Sequence, residues 1–328
     1  MNTWAAPLQD PLGRELRYVR LSVTERCNLR CSYCLPDGCP SDADAGGTLS
    51  VRSIGNLAEA FSSLGFVKIR ITGGEPTLRR DLEAIIETAA SRFSRVGLST
   101  NGLTLVRDAK RWKAAGLTHV NVSLDSRDSE TLRAITGSPH QRRIEQGIEA
   151  AVEAGLSAKV NVVLLGESNA AEVPDLIRWA SGRPMTLRFI ELMNVGLSAR
   201  YISRNHRAVS GIEQVLLGEG WVPVDREGTA GPAREYRHRD HMGRIGFIEP
   251  SSTNFCSSCN RIRVTARGLM KMCLFGDEDV PLFANPELAE PVDVLTAKIR
   301  NAVLGKPAAH RLASGNPGNN RSLASCGG

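Results

Sequence analysis

The sequence predicts an α/β protein built on a parallel sheet, open or curled into part of a barrel. Three features carry that reading. Short runs rich in Val, Ile and Leu alternate with helical stretches through roughly the first 190 of 328 residues, the pattern of βα units whose strands are buried on both faces. Several helical stretches run into a glycine, the usual residue just past a helix end. The chemically unusual motifs fall where strands end, and in parallel α/β folds that rim is where ligands bind.

Strands are expected at residues 18–23, 67–71, 95–99, 119–124, 159–164 and 186–190, and helices at 54–64, 81–90, 108–115, 142–154 and 171–180. Gly65, Gly116 and Gly155 close the first, third and fourth of these helices. A cysteine-rich segment follows the first strand, TGGEP (72–76) the second and STNG (99–102) the third. Ser123 and Asp125 close the fourth strand, and Arg188, Glu191 and Met193 gather about the end of the sixth. Beyond residue 191 the rhythm stops, so the chain is expected to divide into residues 1–190 and a loop-richer 191–328. Its last stretch, HRLASGNPGNNRSLASCGG, has no apolar periodicity and reads as extended.

Hydrophobic residues make up 41% and charged residues 23% of the chain, ordinary for a globular protein. No stretch approaches the run of about 20 apolar residues that spans a membrane, and the N-terminus lacks a secretory pattern. A cytoplasmic location is expected, where cysteines stay reduced and serve as metal ligands rather than disulfides. The net charge of +6 favours an anionic partner. Its basic residues are dispersed, which fits no specific nucleic-acid stripe, although a zinc protein binding RNA through a basic surface is the distant alternative.

Six of the eight cysteines form two triplets. Cys27, Cys31 and Cys34 read C-x3-C-x2-C, with Tyr33 directly before the last; Cys256, Cys259 and Cys273 read C-x2-C-x13-C. Three thiolates leave one metal position open, and open positions bind substrates and cofactors. A structural zinc site is the alternative, with Cys39 as the nearby fourth ligand of the first triplet. In the GG pair, Gly73 and Gly74 allow close backbone approach because neither has a Cβ. Arg261 and Arg263, in CNRIR, flank the second triplet, where cations offset thiolate charge and grip phosphate.

The first triplet and GGEP together resemble the signature of the radical S-adenosylmethionine (SAM) superfamily. With the second triplet and the terminal Gly-Gly, the chain resembles the GTP 3′,8-cyclase family of molybdenum cofactor biosynthesis. RLSVTERCNLRCSYCLP, KIRITGGEPTLRRDL, STNG, KVNVV, RFIELMNVG and NFCSSCNRIRVTARGLMKMCLFG carry the likeness, from residue 20 to the last. The resemblance implies a partial (β/α)6 TIM-like barrel with a C-terminal cluster-binding domain. It implies that Cys27, Cys31 and Cys34 hold a 4Fe-4S cluster whose fourth iron is chelated by SAM, with Tyr33, Gly74, Ser123 and Met193 contacting SAM. A second 4Fe-4S cluster is implied on Cys256, Cys259 and Cys273, its open iron binding guanine. GTP is implied at Arg20, Arg70, Thr100, Lys159, Arg261, Ile262 and Arg263, with Lys68 and Arg188 helping to hold the triphosphate. Arg261, Arg263 and a tail ending in Gly327 and Gly328 are implied at the reaction centre. In such enzymes an electron from a donor, unidentified here, cleaves SAM. The resulting 5′-deoxyadenosyl radical takes the 3′ hydrogen of GTP, C3′ attacks C8, and the cyclised product passes to cyclic pyranopterin monophosphate synthase. The family implies a monomer or homodimer. Two departures stand out: the segment 36–50 with Cys39, and Cys326 where an apolar residue is expected before Gly-Gly.

Overall fold

A computed structural model describes residues 6–35, 37–250, 256–312, 316, 318, 323 and 324. A small antiparallel ribbon, β1 (Leu8–Gln9) with β2 (Glu15–Leu16), opens the chain. The expected βα series follows, with one additional helix that was not expected, α4 (Ser129–Thr136): β3 (Tyr18–Ser22), α1 (Val51–Ser63), β4 (Lys68–Thr72), α2 (Leu82–Ala90), β5 (Arg95–Thr100), α3 (Leu105–Ala114), β6 (His119–Ser123), α4, α5 (Gln141–Glu153), β7 (Ser157–Leu164), α6 (Val173–Ser181) and β8 (Met185–Glu191). Strands β3 to β8 pair in chain order and in parallel. The helices end as their glycines dictate: Gly65 and Gly155 have φ of 79° and 76°, a left-handed conformation that favours glycine.

The expected run of continuous apolar strands is replaced by alternation. Both faces are buried, but only one is apolar. Val19 and Leu21, Ile69 and Ile71, Val120 and Val122, and Leu187 and Phe189 point outward into the helix-covered core. Their neighbours Tyr18 and Arg20, Lys68 and Arg70, His119 and Asn121, and Thr186 and Arg188 line an interior cavity. A period of two along each strand therefore separates core from site.

Residues after 191 do not build a separate sheet. They supply α7 (Ala199–Asn205), α8 (Ser210–Gly218), β9 (Val222–Val224), β10 (Arg234–Arg237), β11 (Arg244–Ile248), β12 (Arg261–Val264), β13 (Leu269–Lys271), β14 (Asp279–Pro281) and α9 (Val292–Val303). The antiparallel set β9–β10–β11 joins the β8 edge through a parallel β8–β11 pair, and β12–β13–β14 joins the β3 edge through a parallel β3–β12 pair. One sheet of 12 strands results, ordered β14-β13-β12-β3-β4-β5-β6-β7-β8-β11-β10-β9. Helix α9 packs on α1, and Asn56 donates to the Glu290 carbonyl at 2.8 Å, fastening the C-terminal region to the barrel wall. Among the described residues, no helix is long and apolar enough to cross a membrane.

Candidate active site

The first triplet sits on the long loop between β3 and α1. The Cys34 amide donates to the Cys31 carbonyl at 2.9 Å, so the last two cysteines share one tight turn. Tyr33 anchors that turn. Its ring packs with Ile135, Leu165 and Leu192, and its hydroxyl donates to Asp125 Oδ2 at 2.7 Å. Asp125 Oδ1 accepts from the Val163 amide at 2.8 Å, which ties the turn to the ends of β6 and β7. The amides of Arg30 and Ser32 donate to the carbonyls of Thr136 and Ile135 at 2.9 and 2.8 Å. Helix α4, which the sequence reading passed over, is thus the loop's second anchor.

The glycine pair does what was expected of it, against a partner that was not expected. Gly74 N donates to the Thr24 carbonyl at 2.9 Å and Glu75 N to the Arg26 carbonyl at 2.7 Å. A Cβ on Gly73 would lie 2.5 Å from the Thr24 carbonyl oxygen, and one on Gly74 would run into that of Arg26. The close approach is to the backbone of the cysteine loop itself. Glu75 is buried and fully employed: its carboxylate accepts from the Thr77 and Asn101 amides and from the Thr100 hydroxyl, at 3.1, 2.7 and 2.8 Å. Thr100 therefore stands in the cavity wall with its hydroxyl already donated.

Burial pushes the Cys27 thiol up to about 11 and the Cys31 thiol well above its ordinary value. Such thiols ionise when a metal takes their protons' place. The second triplet is electrostatically different. Burial raises Cys259, but Lys306 and Arg261 outweigh it and bring the thiol down to about 7. Lys306 is held there by the carbonyls of Arg261 and Met272, at 3.0 and 2.6 Å. Arg14, paired with Asp10 at 2.6 Å, donates to the carbonyls of Cys256, Ala308 and Pro307 at 2.9, 2.9 and 2.7 Å.

Between the triplets the strands present a cationic wall. Register sets Arg263, Arg20 and Arg70 in one cross-strand row, and Arg261, Tyr18 and Lys68 in the next. Tyr18 accepts from Arg70 Nε at 2.7 Å, and the Lys68 ammonium lies 4.8 Å from its ring centroid. Burial alone would raise the phenol; Arg70, Arg20, Lys68 and Arg261 overcome it and bring Tyr18 to about 7. Burial lowers Lys68 to about 7 and Lys159 to about 8. Arg70 Nη1, Arg188 Nε, Asn121 Oδ1 and Asn161 Oδ1 are buried without a hydrogen-bond partner among the described residues. Buried polar atoms rarely stay so, and these suit a polar ligand.

All of this encloses one cavity of about 910 Å³. Both cysteine triplets line it, as does every other described residue singled out from the sequence for SAM or GTP. Ile262 borders it too, although its side chain belongs to the apolar core. Cys39 does not line it; its sulfur faces the Glu25 carbonyl at 3.9 Å. Among the described residues no three or more His, Cys, Asp or Glu side chains converge as a single metal ion requires. Cys326, Gly327 and Gly328 lie outside the described residues, but Leu323, just before them, packs in a cluster that includes Cys34 and Cys273. Arg14, Lys306, Glu235 and Tyr18 carried no motif that sequence could have flagged.

The Radical SAM superfamily profile matches residues 21–180, and the Molybdenum Cofactor Synthesis C profile matches residues 185–312. The GTP 3′,8-cyclase of Stenotrophomonas maltophilia (strain K279a) is 46% identical over 98% of this chain and 99% of its own. That of Haemophilus influenzae (strain PittEE) is 40% identical over 100% of this chain and 98% of its own. The chain belongs to the GTP 3′,8-cyclase family. Among solved structures, Streptococcus suis SuiB bound to its precursor peptide SuiA superposes with a TM-score of 0.59 at 13% identity, covering 94% of this chain and 76% of that one; this is a likeness of fold. As a radical SAM member, this GTP 3′,8-cyclase family chain uses SAM and a 4Fe-4S cluster. The first triplet fits them: three thiols face the cavity, and the Leu29 amide points at Cys27 Sγ from 3.5 Å, as suits a thiolate.

Proposed function

We propose that this chain cyclises GTP to (8S)-3′,8-cyclo-7,8-dihydroguanosine 5′-triphosphate, the first step of molybdenum cofactor biosynthesis. One observation supports this above others: two cysteine triplets and a wall of Arg and Lys face each other across a single cavity. Cys27, Cys31 and Cys34 hold the first cluster, and Tyr33, Gly74, Ser123 and Met193 the SAM beside it. When bound, that pair supplies a carbon radical able to remove hydrogen from an unactivated C–H bond.

This chain's residues handle the substrate. Cys256, Cys259 and Cys273 hold a second 4Fe-4S cluster, with Lys306, Arg261 and Arg14 offsetting its negative charge. Arg20, Arg70, Arg263, Lys68, Lys159 and Arg188 take the triphosphate, Arg being suited to bidentate phosphate contact. The bond formed joins C3′ to C8 within one nucleotide, so the task is to hold those carbons together and keep water out. Asp125 and Glu75 act at one remove, fixing the loops that carry the cysteines.

The test is anaerobic. The purified chain is reconstituted with iron and sulfide and assayed with SAM, GTP and a reductant. About eight irons per chain are expected for two clusters, with 5′-deoxyadenosine formed only when GTP is present. About four irons, with SAM cleavage indifferent to GTP, would contradict the proposal.

A further inference from the structure

An acidic side chain stands inside the cationic wall. Glu235 lies on β10, two strands from Arg188, with Gly246 of β11 paired between them. Paired positions share a face of the sheet, and here the middle one has no side chain. A Cβ on Gly246 would lie 3.2 Å from Arg188 Cγ and 3.4 Å from Glu235 Cγ. That gap lets the carboxylate reach across. Glu235 Oε1 accepts from Arg188 Nη2 at 2.5 Å and from Lys159 Nζ at 3.4 Å, and its other oxygen lies 3.7 Å from Arg244 Nη1. Two of the cations assigned to the triphosphate thus converge on one carboxylate oxygen.

We infer that Glu235 is an internal counter-ion of the substrate cavity: it occupies the anion seats of Arg188 and Lys159, and yields them to the incoming triphosphate. The inference rests on the reading that this cavity binds GTP. Arg188 is buried, with only 8% of its side chain exposed, and a buried cation without a partner is costly. The carboxylate meets that cost while no nucleotide is bound. Left in place beside a polyanion, the same charge opposes binding. Arg188 Nε, without a partner among the described residues, offers a first foothold for the exchange.

Glu235 also keeps Lys159 protonated. Arg188, Glu235, Arg70, Lys68, His119 and Glu227 act on or are acted on by Lys159. Of the two acids among them, Glu235 is the one in contact. Burial first, then Arg188, lower Lys159; Glu235 raises it, leaving it at about 8. Removing the carboxylate therefore has two opposed effects. It frees the anion seats, and it lets Lys159 lose its proton at lower pH.

The experiment measures GTP binding to the reconstituted full chain by equilibrium dialysis, with SAM omitted so that nothing turns over. At about pH 6.5, Glu235→Gln is expected to bind GTP about tenfold more tightly than wild type, and to lose that advantage by about pH 8.5. Glu235→Ala should behave alike, which guards against a misplaced amide. Glu235→Asp, which keeps the charge, should return toward the wild-type profile. Equal or weaker binding by both neutral variants at the lower pH would overturn the inference while leaving the GTP reading intact. Wild type that binds no GTP at either pH would remove both.

Discussion

Lys68 and Lys159 carry the pH dependence expected of substrate binding. Burial brings their folded values to about 7 and about 8, and a polyanion binds the ammonium forms. That charge is lost as pH rises through those values. KM for GTP should therefore rise about tenfold between roughly pH 6.5 and 9, with kcat changing less. A flat KM would remove both lysines from the triphosphate site. Folding stability moves the other way. The unfolded chain still holds these protons up to the ordinary 10.5, so both groups make the fold more stable as pH climbs from about 7 toward that value. At the first triplet, Tyr33→Phe strands one oxygen of Asp125, a cost of about 1–3 kcal/mol. Burial raises Asp125 to about 6 even with the Tyr33 hydroxyl favouring its ionised form. The loss should accordingly be greater at about pH 8 than at about pH 5, read from urea midpoints. Iron retention should fall in parallel.

Helix α4 shows how an element that does not itself line the cavity governs the site. Asp128 caps it, accepting from the Thr131 amide at 2.8 Å, and its last turn receives the amides of Arg30 and Ser32. Asp128→Ala removes that cap and should speed iron loss from the first triplet while GTP affinity stays unchanged. Equal loss rates would show that the loop does not depend on this helix. The six central strands were legible because each carries Val, Ile, Leu or Phe at alternate positions between turn signals. Helix α4 was not, since it spans only eight residues, too short for a helical period to stand out. Strands β11 and β12 escaped for another reason: they lie in a loop-rich region and are defined by parallel partners rather than by their own pattern. Among site residues, the cysteines and glycines were readable because their chemistry fixes local spacing. Arg14 was not, because the Cys256 carbonyl it holds is 242 residues away.

At the scale of the molecule, Arg14 fastens the N-terminal ribbon to the second triplet and to the segment after α9. Asp10 and Arg14 are almost wholly enclosed, with 0% and 6% of their side chains exposed. Arg14→Ala leaves that carboxylate buried without its cation, accepting from the amides of residues 12 and 14, a loss of about 3–5 kcal/mol. Limited proteolysis should then cut first near residues 307–312, before the barrel is attacked. Simultaneous cleavage throughout would mean that the fastening is global rather than local.

The parallel pairing of β3 with β12 also has a consequence in time. Tyr18 and Arg261 are register partners, yet a ribosome must add about 240 residues between them. At about 5–20 residues per second this takes roughly 12–50 s. Throughout that interval β3 lacks its β12 partner, and the cavity lacks the wall that carries the second triplet. A nascent chain is therefore open to oxygen, to stray metals and to edge-to-edge association until its final third emerges, so loading with iron and sulfide belongs after synthesis rather than during it.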